Sequence, residues 1–149
     1  MSDSCDELFK KKFETFNELR KTMTDDEAWE KMLEGYPERQ REWFAPYIEN
    51  NTLAEGFRQA IPAYGEMGMV MDITDISNKD IDAVIEIQRE CPYYEMAKSY
   101  GVEDPCHLLC DMDIEATIRA FPEMRAKYIA RQSEGDSVCA YMYQRPAKK

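Results

Sequence analysis

Four of the five cysteines and the only histidine of this 149-residue chain fall between Cys91 and Cys139. That stretch runs Cys91-Pro92-Tyr93-Tyr94, then Asp104-Pro105-Cys106-His107-Leu108-Leu109-Cys110-Asp111, then Glu134-Gly135-Asp136-Ser137-Val138-Cys139. Thiols are nucleophiles and metal ligands, and a carboxylate near one can serve as a base or hold a water. Asp111 and Asp113 are set beside the Cys110 thiol, so chemistry is expected in this region.

Three roles for the thiols stay open at the level of spacing. In the first, a thiolate attacks. Cys106 falls in the first turn of a predicted helix, where the dipole favours an anion and lowers a thiol pKa. His107 points about 100° away around a helix and is a poor partner for Cys106. Asp111 or Asp113 is then the general base. In the second, Cys91, Cys106, Cys110 and Cys139 bind zinc, as a structural tetrathiolate or as three thiolates with a catalytic water. Their spacing matches no knuckle or ribbon. In the third they are core residues, since reduced cysteine is among the most buried types. Tyr94 is a candidate pocket wall or half-buried packing. Asp136, with Glu134 and Gly135, is most simply part of a turn. No phosphate loop, dinucleotide fingerprint or Gly-x-Ser-x-Gly occurs.

The elements that must position these residues begin with an amphipathic helix over Asp3–Met23, its stripe made by Phe9, Phe13, Phe16 and Met23. Cys5, in its first turn, is an incidental thiol. Thr24-Asp25-Asp26-Glu27 is a capping box that starts a second helix through Leu33. Pro37 suits the first turn of a third, to about Tyr47, with Trp43 and Phe44 inward and Pro46 limiting its far end. Thr52-Leu53-Ala54-Glu55 opens a fourth to about Ile61, ended by Pro62.

The period then changes to two. Gly65–Ile76 and Asp80–Glu90, joined by Ser77-Asn78-Lys79, predict a β-hairpin in which Ile81, Ala83, Ile85 and Ile87 alternate with polar residues, apart from Val84. A helix over 80–89 is the rival reading, outweighed by β-branched content. A short helix over Tyr93–Tyr100 closes at Gly101. Asp104-Pro105 starts a helix that carries Cys106 and Cys110 on one face. Asp111 or Asp113 begins a further helix to Ala120. Met124–Ala130 and Val138–Tyr143 form a second hairpin. The predicted fold is α+β: N-terminal helices followed by β-β-α-α-β-β, with an antiparallel four-stranded sheet packed against helices. The chain is expected to be a single domain over 1–149, with a helical part over 1–62 and an α+β part over 65–145 carrying the cysteines.

Composition narrows the function classes. A formal net charge of −11 disfavours nucleic acid and anionic membrane surfaces as partners. No apolar run approaches the roughly 18–20 residues needed to span a bilayer, and Met1–Lys12 is polar and charged. A soluble, cytoplasmic protein with reduced thiols is expected.

Cys91-Pro92, the Cys106–Asp111 segment, and Gly135-Asp136-Ser137-Val138-Cys139-Ala140-Tyr141 together resemble the L-2-amino-thiazoline-4-carboxylic acid hydrolase family, over roughly Met67 to Tyr143. The closing Gly-Asp-x-x-Cys hairpin is also similar to that of the small-molecule-binding domains named after vinyl reductase. The first resemblance implies a hydrolase that opens a five-membered ring at the carbon between sulfur and nitrogen, giving an N-carbamoyl cysteine. In that reading Cys110 and Asp111 are the reactive pair, with Cys91 and Cys139 alongside. Cys106, His107, Asp113, Tyr94 and Asp136 are the candidates for substrate contact. The partner is a small molecule. The sequence leaves open whether zinc or no cofactor is used and whether the chain forms a homo-oligomer. The alternative is a non-enzymatic small-molecule or metal-binding domain using the same cysteine-lined pocket.

Overall fold

The computed structural model describes residues 3–148. It shows an α+β fold in which helices precede and then interrupt a four-stranded antiparallel sheet. Helix α1 spans Asp3–Leu19 and buries Phe13 and Phe16, with Phe9 and Met23 packed beside them. The Cys5 side chain lies outside the described residues. Helix α2 (Asp25–Met32) starts at the expected capping box: the Glu27 N–H donates to Thr24 Oγ1 and the Thr24 N–H donates to Glu27 Oε2, both at 3.1 Å.

Helix α3 (Tyr36–Ile48) and helix α4 (Leu53–Glu66) both run through a proline. Helix α3 ends at Ile48, close to the expected Tyr47, whereas α4 continues past Pro62 to Glu66, and the expected stop there is corrected. A proline removes one helical hydrogen bond, but here the apolar face continues past it: Ile48 is buried beyond Pro46. Continuing α4 past Pro62 is what brings Tyr64 inward.

The sheet order is β1-β2-β4-β3, with β1 Val70–Asp75, β2 Ile81–Glu90, β3 Arg125–Ala130 and β4 Cys139–Pro146. Two hairpins thus join through their second strands, as expected. Antiparallel partners share a face. Val84 pairs with Tyr143, Glu86 with Tyr141 and Gln88 with Cys139. These residues, not the isoleucines, look toward the helices, and Val84, Tyr141 and Tyr143 join the core there. The polar set of β2 is the buried one: Asp82, Glu86 and Gln88 are all buried, while Ile81, Ile85 and Ile87 are half-buried on the opposite face.

Asp82 shows how such a residue is satisfied. Its carboxylate accepts the Leu53 N–H at the start of α4 (3.1 Å to each oxygen) and Arg145 Nε at 2.9 Å. Arg145 Nη2 also donates to the carbonyls of Ile48 and Asn51, at 2.8 and 2.7 Å. The start of α4, the end of α3 and the two central strands are tied at one point.

Between the hairpins lie α5 (Tyr93–Ser99), a π-helical turn over His107–Asp111, and α6 (Met112–Ala120). Gly101, at φ 75°, closes the segment after α5. Two core clusters result. One, around Phe44, Phe57, Val84 and Tyr143, joins α3 and α4 to the sheet. The other, around Phe13, Leu33, Tyr93 and Met112, joins α1 and α2 to α5 and α6. Cys110 packs against both. Among the described residues no helix is long and apolar enough to cross a membrane.

Candidate active site

A cavity of about 200 Å³ opens where the two clusters meet. Strand β2 supplies Glu86 and Gln88 to its wall, and β4 supplies Tyr141 and Tyr143. Helix α1 contributes Phe9 and Lys12, α3 contributes Tyr36 and Trp43, and α4 contributes Tyr64. Cys91, Tyr93, Cys110 and Asp113 complete the side nearest the π-helical turn. A wider surface groove of about 550 Å³ shares Phe9, Lys12, Tyr36 and Trp43 with the cavity and adds Lys11 and Arg39. Trp43, expected inward, is 39% exposed and stands at this mouth.

Of the candidates read from the sequence, Cys91, Cys110 and Asp113 line the cavity together. π-Helical turns recur at functional sites because the extra residue re-aims a side chain. Here the turn sets Cys110 against Gln88, its Sγ 3.9 Å from Oε1, and α6 then presents Asp113 from its first turn.

The other candidates are held elsewhere. Asp111 forms a two-pronged ion pair with the buried Arg131, and its carboxylate accepts a hydrogen bond from His107 Nδ1 at 3.1 Å. His107 stacks on Trp29, ring centroids 4.8 Å apart, and its carbonyl accepts the Trp29 indole N–H. Cys106 and Cys139 are buried against one another, and the Gln132 N–H donates to Cys139 Sγ at 3.4 Å. Cys106 does not carry a lowered pKa, contrary to expectation. Its hydrogen bond to Cys139 and burial push it up, and Cys139, as the acceptor, is the lower of the two at about 7. Tyr94 packs on the sheet-side cluster under Lys98. Asp136 accepts the Arg131 N–H at 2.8 Å and closes its turn. Among the described residues no three histidine, cysteine or carboxylate side chains are grouped to hold a metal ion.

Inside the cavity, burial dominates the electrostatics. It pushes the Cys110 and Cys91 thiols up, so both are protonated at neutral pH. Burial raises the Asp113 carboxyl too, but the Lys12 charge and hydrogen bonds from Tyr36 and Gln40 oppose it. Tyr36 Oη donates to Asp113 Oδ1 at 3.3 Å. Lys12 falls to about 8, chiefly through burial. Glu86 rises to about 8 through burial and the nearby Asp113 charge. Tyr36, Tyr64, Tyr141 and Tyr143 are all raised by burial and are neutral donors. The Tyr141 hydroxyl is buried without a well-formed hydrogen bond to any protein group, although the Cys110 sulfur is nearby. Buried hydroxyls are normally satisfied, and this one is on a residue that lines the cavity.

Lys12, Tyr36, Tyr64, Glu86, Gln88, Tyr141 and Tyr143 went unrecognised in the sequence. Two signals were present. Lys12 lies three residues from Phe9 and four from Phe16, on the apolar side of α1. Glu86 and Gln88 interrupt a β-branched strand at the period of its inward face.

No curated protein is similar to the chain. The model of one protein family, described as L-2-amino-thiazoline-4-carboxylic acid hydrolase, matches residues 1–143, so it includes the helices that supply Lys12, Tyr36 and Tyr64. The chain therefore belongs to the L-2-amino-thiazoline-4-carboxylic acid hydrolase family.

Proposed function

We propose that the protein hydrolyses a small sulfur/nitrogen heterocycle of the aminothiazoline carboxylate type inside this cavity. The observation that carries the reading is that Cys110 and Asp113 face one small, aromatic-walled space. A nine-atom ring compound suits that volume, which lies below the usual range for drug-sized ligands.

Asp113 is the general base in this reading. It is the cavity carboxyl with an adjacent cation and two hydrogen-bond donors to favour its charged form. It takes a proton from water as the oxygen bonds to the ring carbon between sulfur and nitrogen. When the carbon–sulfur bond breaks, that proton passes to the sulfur. The ring nitrogen ends with one proton more than in the neutral ring, which balances the second water proton, and the product is an N-carbamoyl cysteine. Tyr36 holds the base in place, and the unsatisfied Tyr141 hydroxyl donates to the oxygen being added. Asp111 is left as an anchor for Arg131. Cys110, held as a neutral thiol, shapes the wall beside the reacting carbon.

A second reading, attack by Cys110 itself, has one observation in its favour: the π-helical turn aims the sulfur into the cavity. Turnover of 2-aminothiazoline-4-carboxylate, followed by chromatographic detection of the ring-opened product, tests both. Asp113→Asn should lower kcat by about 10²–10⁴-fold, and Cys110→Ala by less than about tenfold. Loss of all turnover in Cys110→Ala, with a covalent adduct on wild-type protein by mass spectrometry, would replace the water route with the thiol route. Wild-type protein without turnover would end both.

A further inference from the structure

Glu86 is the one cavity carboxyl that the mechanism above does not use. It lies on the helix-facing side of the central strand β2 and is 6% exposed. The hydrogen bond described for its carboxyl comes from Gln88 Nε2, at 3.3 Å. Among the described residues no lysine, arginine or histidine forms an ion pair with it. Asp82, two turns of the pleat away on the same face, is the contrast: it is equally buried and is paired with Arg145. An unpaired carboxyl in such a place is unfavourable, because its charged form is stripped of water with nothing to replace it.

We infer that Glu86 forms a cation subsite for the amidinium-type head of the ligand, that is, a protonated cyclic isothiourea or guanidine. The inference rests on the reading of this cavity as the substrate site and adds the charge state and orientation of what enters it. Three further observations agree. The cavity around Glu86 is walled by Tyr64, Tyr141, Tyr143 and Trp43, whose ring faces attract a planar cation. The carboxylate offers two parallel acceptors, which match the two N–H groups of an amidinium. The opposite pole is positive: Lys12 and Arg39 flank the Tyr36 ring at the mouth, at 5.3 and 5.4 Å from its centroid. A zwitterion with a buried amidinium and an outward carboxylate fits that polarity end to end.

The other groups facing Glu86 do not supply the missing charge. Asp113, from α6, repels it and raises its pKa. The Tyr64, Tyr143 and Tyr141 phenols and the Cys110 and Cys91 thiols are neutral. Lys12, from α1, interacts with Asp113 and forms no ion pair with Glu86. With its pKa pushed up to about 8, Glu86 is mostly protonated at pH 7. A bound cation reverses this, so binding expels a proton to solvent.

The test is calorimetry with 2-aminoimidazoline, a cyclic guanidinium of matching size, and imidazolidin-2-one, its uncharged analogue. Titrations at pH 7 in two buffers of different ionisation heat give the proton count. Wild-type protein should bind the cation at least about tenfold more tightly than the neutral ring and release at least about half a proton. Glu86→Gln, which keeps the shape of the side chain, should lose both the preference and the release. Equal affinity for the two rings, no binding of either, or proton release unchanged in Glu86→Gln would overturn the inference. Neither probe needs to be turned over. Absent ring-opening activity with intact cation binding would sink the proposed reaction and leave the subsite standing.

Discussion

Replacing Glu86 by glutamine should make the protein more stable, and increasingly so as pH rises. The ordinary value for this carboxyl is 4.5, and burial beside Asp113 lifts it to about 8 in the folded chain. Below the unfolded value both states hold the proton and Glu86 is neutral to the balance. Between the two values the unfolded chain ionises and the folded chain does not, so stability falls by about 1.4 kcal/mol per pH unit. Above the folded value the loss is complete. The whole window corresponds to a ceiling of about 5 kcal/mol, and about 2–4 kcal/mol is expected after relaxation and water entry. Glutamine has no such titration. Urea unfolding of both proteins at pH 5, 6, 7 and 8, fitted as a two-state transition, gives the difference directly. The two should lie within about 1 kcal/mol at pH 5 and separate steadily in favour of the variant by pH 8. Lys12 titrates from about 8 upward, toward its unfolded value of 10.5, so it contributes a constant below pH 8. A difference that stays flat from pH 5 to pH 8 would refute the argument, because it would mean the carboxyl is solvated or paired.

Other expectations follow from the same geometry. Asp82→Ala leaves Arg145 buried without its carboxylate and removes an acceptor from the start of α4. It should destabilise by about 3–5 kcal/mol, read as a drop in Tm of roughly 6–20 °C. Asp111→Asn should lower stability by about 3 kcal/mol through the buried Arg131 and lower Tm more clearly than kcat. The glycines of α4 should behave oppositely. A methyl at Gly56 would sit 2.4 Å from the Tyr47 carbonyl oxygen, whereas one at Gly65 meets nothing within 4 Å. Gly56→Ala should destabilise by about 1–3 kcal/mol and Gly65→Ala should stabilise by about 0.4–1 kcal/mol, both from chemical denaturation.

Much of the fold was legible because its signals are local. Capping boxes at Thr24 and Thr52, turn residues at Ser77-Asn78 and Gly135, and β-branched runs each act over a few residues, and the structure has them where the sequence puts them. Pro62 was misleading for the same reason. Its local tendency is to stop a helix, but burial of α4 against the sheet outweighs one lost hydrogen bond. The facing of β2 was also a tertiary matter. Period two says that the two sets of side chains point opposite ways; it does not say which set is covered. Four isoleucine and alanine positions suggest one answer, and the helices cover the other.

That inversion explains why the cavity was only half visible. The cysteine-rich segment was found by residue type, and three of its members do meet. The remaining wall comes from Lys12, Tyr36, Tyr64 and Glu86, brought together from three helices and a strand that precede Cys91 in the chain. None of them is chemically conspicuous alone. Lysine and glutamate are ordinary surface residues until packing removes their water. A strand that turns its polar set toward the helices must bring a partner to each member. Arg145 does so for Asp82, whereas Glu86 has the Gln88 amide and no cation among the described residues. A carboxyl kept there, where an apolar side chain of similar volume would be more stable, has its physical justification in a charge that arrives with the ligand.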